Sequence, residues 1–478
     1  MLGGLSCSRN VRPSRGPTIV GIDTTQQFQQ FEGFGTALAS WVPSLTSYYS
    51  TDEFARLYLH DLGATALRVD LWEGSVPLCK KAADLSFRNF VWDGEGKRGK
   101  VFISTAESLV KRSLGKLRVI ASVWSPPRWM KENGKRGNGG VRDENFALSL
   151  PELKGAFGNR FKDDGPQRRH ELLHRNRLLP DYYDFMAKSL VEWVRLYKSR
   201  GVELYGLSAQ NEPRFSHWFE SCSYTPAELT HLYRSIIDTF DAEGEKLPQL
   251  FAPETVSHDL EGNELYLRAL LADSKVRQHL FAFATHGYVD GYKSDHDPRS
   301  PEKVKRLLEG SGKRIWFTEG GTGEHKWPEP IHILAPSFMN ALLHGEVSLI
   351  TPWQCVGEPP SLHDLAGVNR LTKKSHITAQ FFRHIRPGMR RVHVDQPTNS
   401  AASCTAFETS DAKKIAVVLL NRSGMEIPFR FTVDGRSASV SAVYVTNVDM
   451  DHQALQAAET LGLPPESLVT ALISPHSE

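Results

Sequence analysis

The 478-residue chain is poor in cysteine, in charge of either sign over the other and in long apolar runs, and each shortage excludes something. Its five cysteines, Cys7, Cys79, Cys222, Cys355 and Cys404, include no CxxC pair, which sets aside zinc ribbons and thioredoxin-type redox chemistry. An odd number spread over this length reads as buried or free thiols, with room for one or two disulfides. Lys and Arg number 57 against 55 Asp and Glu, a net charge of +2, so no general electrostatic argument favours nucleic acid or a membrane surface as partner. No run of 18 apolar residues is present to span a membrane. The opening MLGGLSCSRNVRPSRG lacks the apolar stretch of a signal peptide. Localisation is therefore left open between an intracellular protein and a secreted one whose signal has been removed. One sequon, Asn421-Arg422-Ser423, is a slender pointer to secretion. Low-complexity segments and internal repeats are also missing, apart from a β/α rhythm.

What remains is an ordinary globular composition, 40% hydrophobic and 23% charged, with length for one barrel-sized domain and a smaller one. Ten tryptophans and 13 tyrosines could serve core packing or sugar stacking. The alternating segment 17–31 predicts two short strands. FEGFGT (31–36) reads as a third, and SYYSTDEFARLYLHDLG (47–63) as a helix with Thr51 as cap, Asp52 and Glu53 as first-turn acids and Gly63 as stop. Strands are then expected at 64–72, 117–124, 203–210, 249–255, 280–288, 314–320 and 347–354. Helices are expected between and after them at 101–115, 180–201, 225–244, 263–273, 300–310, 330–345 and 374–385. With FEGFGT first, that makes the eight β/α units of a closed parallel barrel. The stretch 131–179, rich in Gly, Lys and Arg, follows the third strand and so belongs to the active face, where it is placed to wall a cleft. Beyond Pro387 short alternating strands divided by turn residues indicate an all-β module. The strands before the barrel have no sheet of their own and are expected to join it. The fold class is an α/β (β/α)8 TIM barrel over 31–385, with a side β-sandwich built from residues 1–30 and 386–478.

The chemistry sits at the strand ends. LSAQNEP (207–213) is apolar in its body and acidic at its tip, and RIWFTEGG (314–321) has the same design, ending in Glu319. In a barrel such tips converge on one pit, bringing Arg68, Trp124, Asn211, Glu212, His286, Tyr288, Glu319 and Trp353 together. Two carboxylates suit glycoside hydrolysis: one gives a proton to the leaving oxygen, the other attacks the anomeric carbon. Asn211 is placed to bond the sugar 2-hydroxyl, Tyr288 and Arg68 to hold the nucleophile ionised, and Trp353 to floor the ring. No clustered His/Asp ligand set stands at the tips, so no metal or cofactor is expected.

Several stretches, taken in order, resemble glycoside hydrolase family 30 over nearly the whole chain: FEGFG, ASVWSPPRWMKENG (121–134), SAQNEP, ATHGYVD (284–290), WFTEGG (316–321) and FFRHIRPGMRRV (381–392). The resemblance implies a retaining mechanism with Glu212 as acid/base and Glu319 as nucleophile. It also implies a carbohydrate substrate and a barrel fused to a sandwich made from both termini. Two departures bear on substrate. WQCVGEPPSLHDL, after the eighth strand, lacks the arginine with which glucuronoxylanases of the family grip glucuronate. The second strand, RVDLWEG, differs from its counterparts, and Asp70 or Trp72 could serve there. A β-linked polysaccharide or oligosaccharide of xylan, β-1,6-glucan or β-1,6-galactan type is the first expectation. A glucosylceramidase-like glycolipid β-glucosidase is the second, and a non-catalytic carbohydrate-binding barrel a third of another class. The sequence does not address oligomeric state. On the active-face loops, His325, Trp327, His363 and Asp364 read equally as substrate contacts or loop packing, and SDHDP (294–298) as a solvated loop rather than a metal site.

Overall fold

The computed structural model describes residues 17–138, 175–255, 260–288, 300–321 and 323–474. Strand β1 (Thr18–Gln30) precedes eight parallel strands that close into a barrel: β2 (Gly33–Thr36), β3 (Ala66–Asp70), β4 (Arg118–Ser122), β5 (Leu204–Ser208), β6 (Gln249–Thr255), β7 (Leu280–His286), β8 (Arg314–Glu319) and β9 (Leu349–Ile350). Closure is made by β2 against β9, with Gly33 opposite Leu349 and Phe34 opposite Ile350. The barrel is filled in layers. Near its floor Glu32 accepts bonds from Trp316 Nε1 (2.8 Å), Ser348 Oγ (2.6 Å) and Tyr205 OH (2.5 Å). Above it an apolar layer packs Trp316 against Ala66, Ile120, Phe251, Ala282, Ala284 and Leu349. Gly206 makes room for that indole: a Cβ there would lie 3.0 Å from Trp316 and 3.1 Å from Ile120. The layer above is polar and ionised, and it forms the candidate site.

The C-terminal module is one hydrogen-bonded sheet, and its apolar inner face closes on itself as a separate core. Strand β1 lies inside this sheet, antiparallel to Arg390–Val394 and parallel to Ile427–Val433. It is a single strand of 13 residues, where two short strands were expected over 17–31. Register shifts on either side of Gln27 take up the irregularity as bulges, so the chain never has to turn. Strand Ile415–Asn421 (IAVVLLN) is apolar on both faces. Ile415, Val417 and Leu419 enter the sheet's own core, while Ala416, Val418 and Leu420 join the core that continues into the barrel. Phe407 completes that junction against Phe31, with ring centroids 5.8 Å apart.

Other departures are local. The helix expected over 330–345 is broken at Ile333 into Glu329–His332 and Leu334–Leu343, which places Pro336 in the first turn of the second piece, where its missing N–H costs no bond. The expected helix 47–63 forms as Asp52–Arg56 followed by a wider π turn over Leu57–Asp61, with Thr51 Oγ1 accepting from Phe54 N–H as the cap requires. The four described cysteines are free thiols. Asn421 of the sequon is buried and its amide donates to Met425 O and Pro464 O, so it offers no acceptor for a glycan. Among the described residues no helix is long and apolar enough to cross a membrane. Cys7, SDHDP and 139–174 of the long loop lie outside the described residues.

Candidate active site

The polar layer is built by strand alternation. Arg68 is two residues beyond Ala66 on β3, so it points into the lumen one layer above the apolar plug. It is fully buried, and its guanidinium makes four hydrogen bonds: Nη1 donates to Glu319 Oε2 at 2.6 Å, Nη2 to Asn211 Oδ1 at 2.6 Å and to Glu254 Oε1 at 3.0 Å, and Nε to Ser122 Oγ at 3.3 Å. His286, at the tip of β7, donates or accepts through Nδ1 with Glu212 Oε1 at 2.9 Å, while its Nε2 lies 3.9 Å from both Glu254 Oε1 and Glu319 Oε2. Tyr288 OH donates to Glu319 Oε1 at 2.6 Å. One oxygen each of Glu212 and Glu319 and one nitrogen of His286 lie within 4.8 Å of one another.

Adjacent strands β5 and β6 end alike. Glu212 (φ 50°) and Glu254 (φ 54°) both adopt the left-handed region, and Glu212 N–H donates to Glu254 O at 3.0 Å. Such backbone costs on the order of 1–3 kcal/mol for a residue with a side chain and persists where surrounding contacts fix it. Here Asn211 N–H is tied to Val123 O at 2.6 Å and Gln210 Nε2 to Trp124 O at 2.8 Å, which lock the turn against β4. The result aims the Glu212 carboxyl across the pit at Glu319.

Electrostatics divide the carboxyls. Burial pushes Glu212 up from the ordinary glutamate range; Glu319 adds to this, against the pull of His286 and Arg68. Burial would raise Glu254 as well, but Arg68 and His286 outweigh it and bring it down to about 2. Burial would strip His286 of its proton; Glu319, Glu212 and Glu254 overcome that and raise it to about 9. Burial and Glu319 hold the Tyr288 phenol far above its usual value, so it stays a donor. Glu212, His286 and Glu319 are also residue types that bind cations.

The two tryptophans lie beside this polar layer. Trp124 lies under the Arg68 guanidinium, 4.4 Å from its ring centre. Trp353 is 5.9 Å from Trp124 and stacks on Trp41 at 5.3 Å with planes 10° apart. That stacking corrects the simple floor assigned to Trp353: the face turned to Trp41 is covered, and the aromatic surface continues outward to a half-exposed second indole. Asp70 is buried one layer above Arg68 and receives the Trp124 N–H; burial, reinforced by Glu220, pushes its carboxyl well up. Trp72 is held between Arg98 and Arg136, at 4.8 and 5.2 Å, away from the carboxylate pair. His325 Nε2 bonds to Ser361 O and Asp364 accepts from Gln354, so both fasten loops; His363 packs edge-on to Tyr288 at 5.9 Å. Glu254 is the residue that strand-tip reading missed. Its strand, QLFAPET, has the same apolar body and acidic end, but Pro253 and Thr255 around the acid resemble a turn.

No family model matches the chain. Its sequence relatives include the glucuronoxylanase XynC of Bacillus subtilis, 24% identical over 388 residues, covering 78% of this chain and 77% of the relative. They also include a putative glucosylceramidase of Caenorhabditis elegans, 22% identical over 514 residues, covering 97% and 85%. Among solved structures, a family 30 endoxylanase from Clostridium papyrosolvens superposes with a TM-score of 0.71 at 20% identity, covering 96% of this chain and all of that one. In its barrel, its side sheet and its sequence relatives, the chain is similar to this endoxylanase of glycoside hydrolase family 30 and to the glucuronoxylanase and glucosylceramidase named above.

Proposed function

We propose that the chain hydrolyses β-glycosides by double displacement, with Glu319 as nucleophile and Glu212 as acid and then base. Glu319 attacks the anomeric carbon as the glycosidic bond breaks, and the proton of Glu212 passes to the leaving oxygen. Glu212 next takes a proton from water, whose oxygen displaces Glu319 and releases the sugar with its configuration retained. The observation that carries this reading is the closeness of the two carboxyls, with oxygens within 4.8 Å. Retaining enzymes keep the pair about 5–5.5 Å apart, and inverting ones open it to about 6.5–9.5 Å to admit a water. The environments fit the roles: burial favours the protonated form of Glu212, while Tyr288 and Arg68 both donate to Glu319. Asn211 gives its Oδ1 to Arg68, leaving Nδ2 to donate to the sugar 2-hydroxyl. A purely binding barrel has no use for this division of proton affinity.

The substrate we favour is a β-linked polysaccharide or oligosaccharide of xylan, β-1,6-glucan or β-1,6-galactan type. The aromatic surface running from Trp124 through Trp353 to Trp41 supports it, because it extends past the room one sugar needs. A glucosylceramide-type glycolipid is the second reading, favoured by the relative that spans 97% of the chain. Glucuronate-dependent action on xylan is disfavoured by WQCVGEPPSLHDL, which holds no arginine. The test is Glu319→Ala with azide on an activated aryl β-glycoside. A glycosyl azide of inverted configuration is expected; azide that leaves activity unrestored while Glu212→Ala is rescued with inversion would reverse the roles. Products released from a polysaccharide and glycolipid panel then separate the two substrate readings.

A further inference from the structure

Glu254 is a fully buried acid that double displacement does not use. We propose that it is a positioning residue, the standing counter-charge that keeps Arg68 and His286 in place while the charge of Glu319 is consumed. The proposal rests on the roles given above to Glu319 and Glu212.

Both cations of the pit are shared between the same two acids. Arg68 gives Nη1 to Glu319 and Nη2 to Glu254, and His286 Nε2 lies 3.9 Å from an oxygen of each. With Glu319 the ionised nucleophile and Glu212 the protonated acid, as double displacement requires, Arg68 and His286 balance Glu319 and Glu254 in the free enzyme. In the covalent intermediate a Glu319 oxygen has spent a lone pair on the bond to the anomeric carbon and the acid has become an ester. The proton of Glu212 has gone to the leaving oxygen, so Glu212 and Glu254 now balance the same two cations. The sum is zero at both stages only because Glu254 is present. Without it one positive charge is unpaired at each stage, in a pit where Arg68, His286 and Glu254 are wholly buried. An unpaired buried charge is costly, and the cheapest relief is loss of the His286 proton. That loss would remove the positive charge beside Glu212 and Glu319. The remaining neighbours cannot substitute: Tyr288 is an uncharged donor to Glu319, Asn211 an uncharged acceptor from Arg68, and Asp70 is taken by the Trp124 backbone N–H. The left-handed backbone of Glu254, bonded through its carbonyl to Glu212 N–H, places the third acid beside the first.

Glu254→Gln removes the charge at nearly constant shape. The measurements are kcat and KM against pH on an aryl β-glycoside, the charge of His286 by 15N-histidine NMR with its signal identified by loss in His286→Asn, and thermal unfolding. The expected result is a neutral His286 at pH 8 where the parent is charged, an altered pH profile, and kcat reduced about a hundred-fold with little change in KM. Glu254→Asp keeps the charge and should recover a large part of kcat. An unchanged His286 titration and pH profile with only a lower melting temperature would overturn the proposal, leaving Glu254 a structural acid. If the Gln variant does not fold, Glu254→Asp carries the test: a charged His286 at pH 8 with a large part of kcat is expected, and a large loss of kcat with His286 still charged overturns the proposal. Azide rescue of Glu319→Ala is scored separately, so failure of the nucleophile assignment is told apart from failure of the counter-charge.

Discussion

His286 ties stability to pH as well as activity. Its folded-state value of about 9 lies above the unfolded 6.5, so its contribution is fully present below about pH 6.5 and is lost as pH rises through 9. Glu254 runs the other way: lowered from 4.5 to about 2, it contributes above pH 4.5, and that contribution is lost as pH falls towards 2. The melting temperature of the parent should therefore fall more steeply between pH 6.5 and 9 than that of His286→Gln; parallel slopes would contradict the charged imidazole. Glu212, raised by burial, should place the alkaline limb of kcat/KM above the ordinary carboxylate range, and Glu212→Gln should abolish that limb along with most activity. Glu212 and Glu319 were legible as a pair, because two strands of the same design each end an apolar body in a glutamate. Glu254 ends a strand in the same way, but a two-carboxylate mechanism gives no cause to look for a third. Its importance comes from Arg68 and His286 reaching it across the lumen, and such contacts exist only once three strands are side by side. Trp41 escaped for the same reason: it stands on a loop after β2, and only closure of the barrel brings it onto Trp353.

At the scale of elements, strand bodies and helix caps were readable because they depend on neighbours in sequence. The helix Pro226–Glu243 is an instance: Thr225 and Glu228 form a reciprocal capping box, Pro226 starts the helix, and Gly244 (φ 60°) ends it. Thr225→Ala should cost about 1 kcal/mol of unfolding free energy in a denaturant titration, with activity unaffected. What local pattern cannot supply is the space an element must leave for another. Gly206 looks like a weak point in a strand, yet it is there for the Trp316 indole, which also needs Phe251 3.2 Å from the position of the missing Cβ. Gly206→Val should destabilise by about 1–3 kcal/mol through overpacking, and Trp316→Ala by about 3–5 kcal/mol through the cavity it leaves. A Gly206→Val variant that melts with the parent would show that the lumen layer is looser than its contacts imply. The strand expected over 347–354 is also shorter than its apolar residues suggest: only Leu349 and Ile350 pair, just before Pro352, which has no N–H to give a ladder.

For the whole molecule, the alternation of β and α patterns and the switch to short strands after Pro387 were enough to name the architecture. The order of strands within the side sheet was not, since pairing between residues 18 and 433 leaves no trace in local composition. The seating of β1 in that sheet has a consequence for synthesis. Its partners are Arg390–Val394 and Ile427–Val433, more than 350 residues further along the chain. A strand made so long before its partners, with Val20 and Ile22 destined for a core, thus stays unpaired in this sheet until they have left the ribosome. Stalled nascent chains ending before residue 390 should therefore be cut by protease within Thr18–Gln30, and those extended past residue 433 should resist. In this protein the early chain is an open edge awaiting a late partner, and a cell that makes it must shield that edge for the duration.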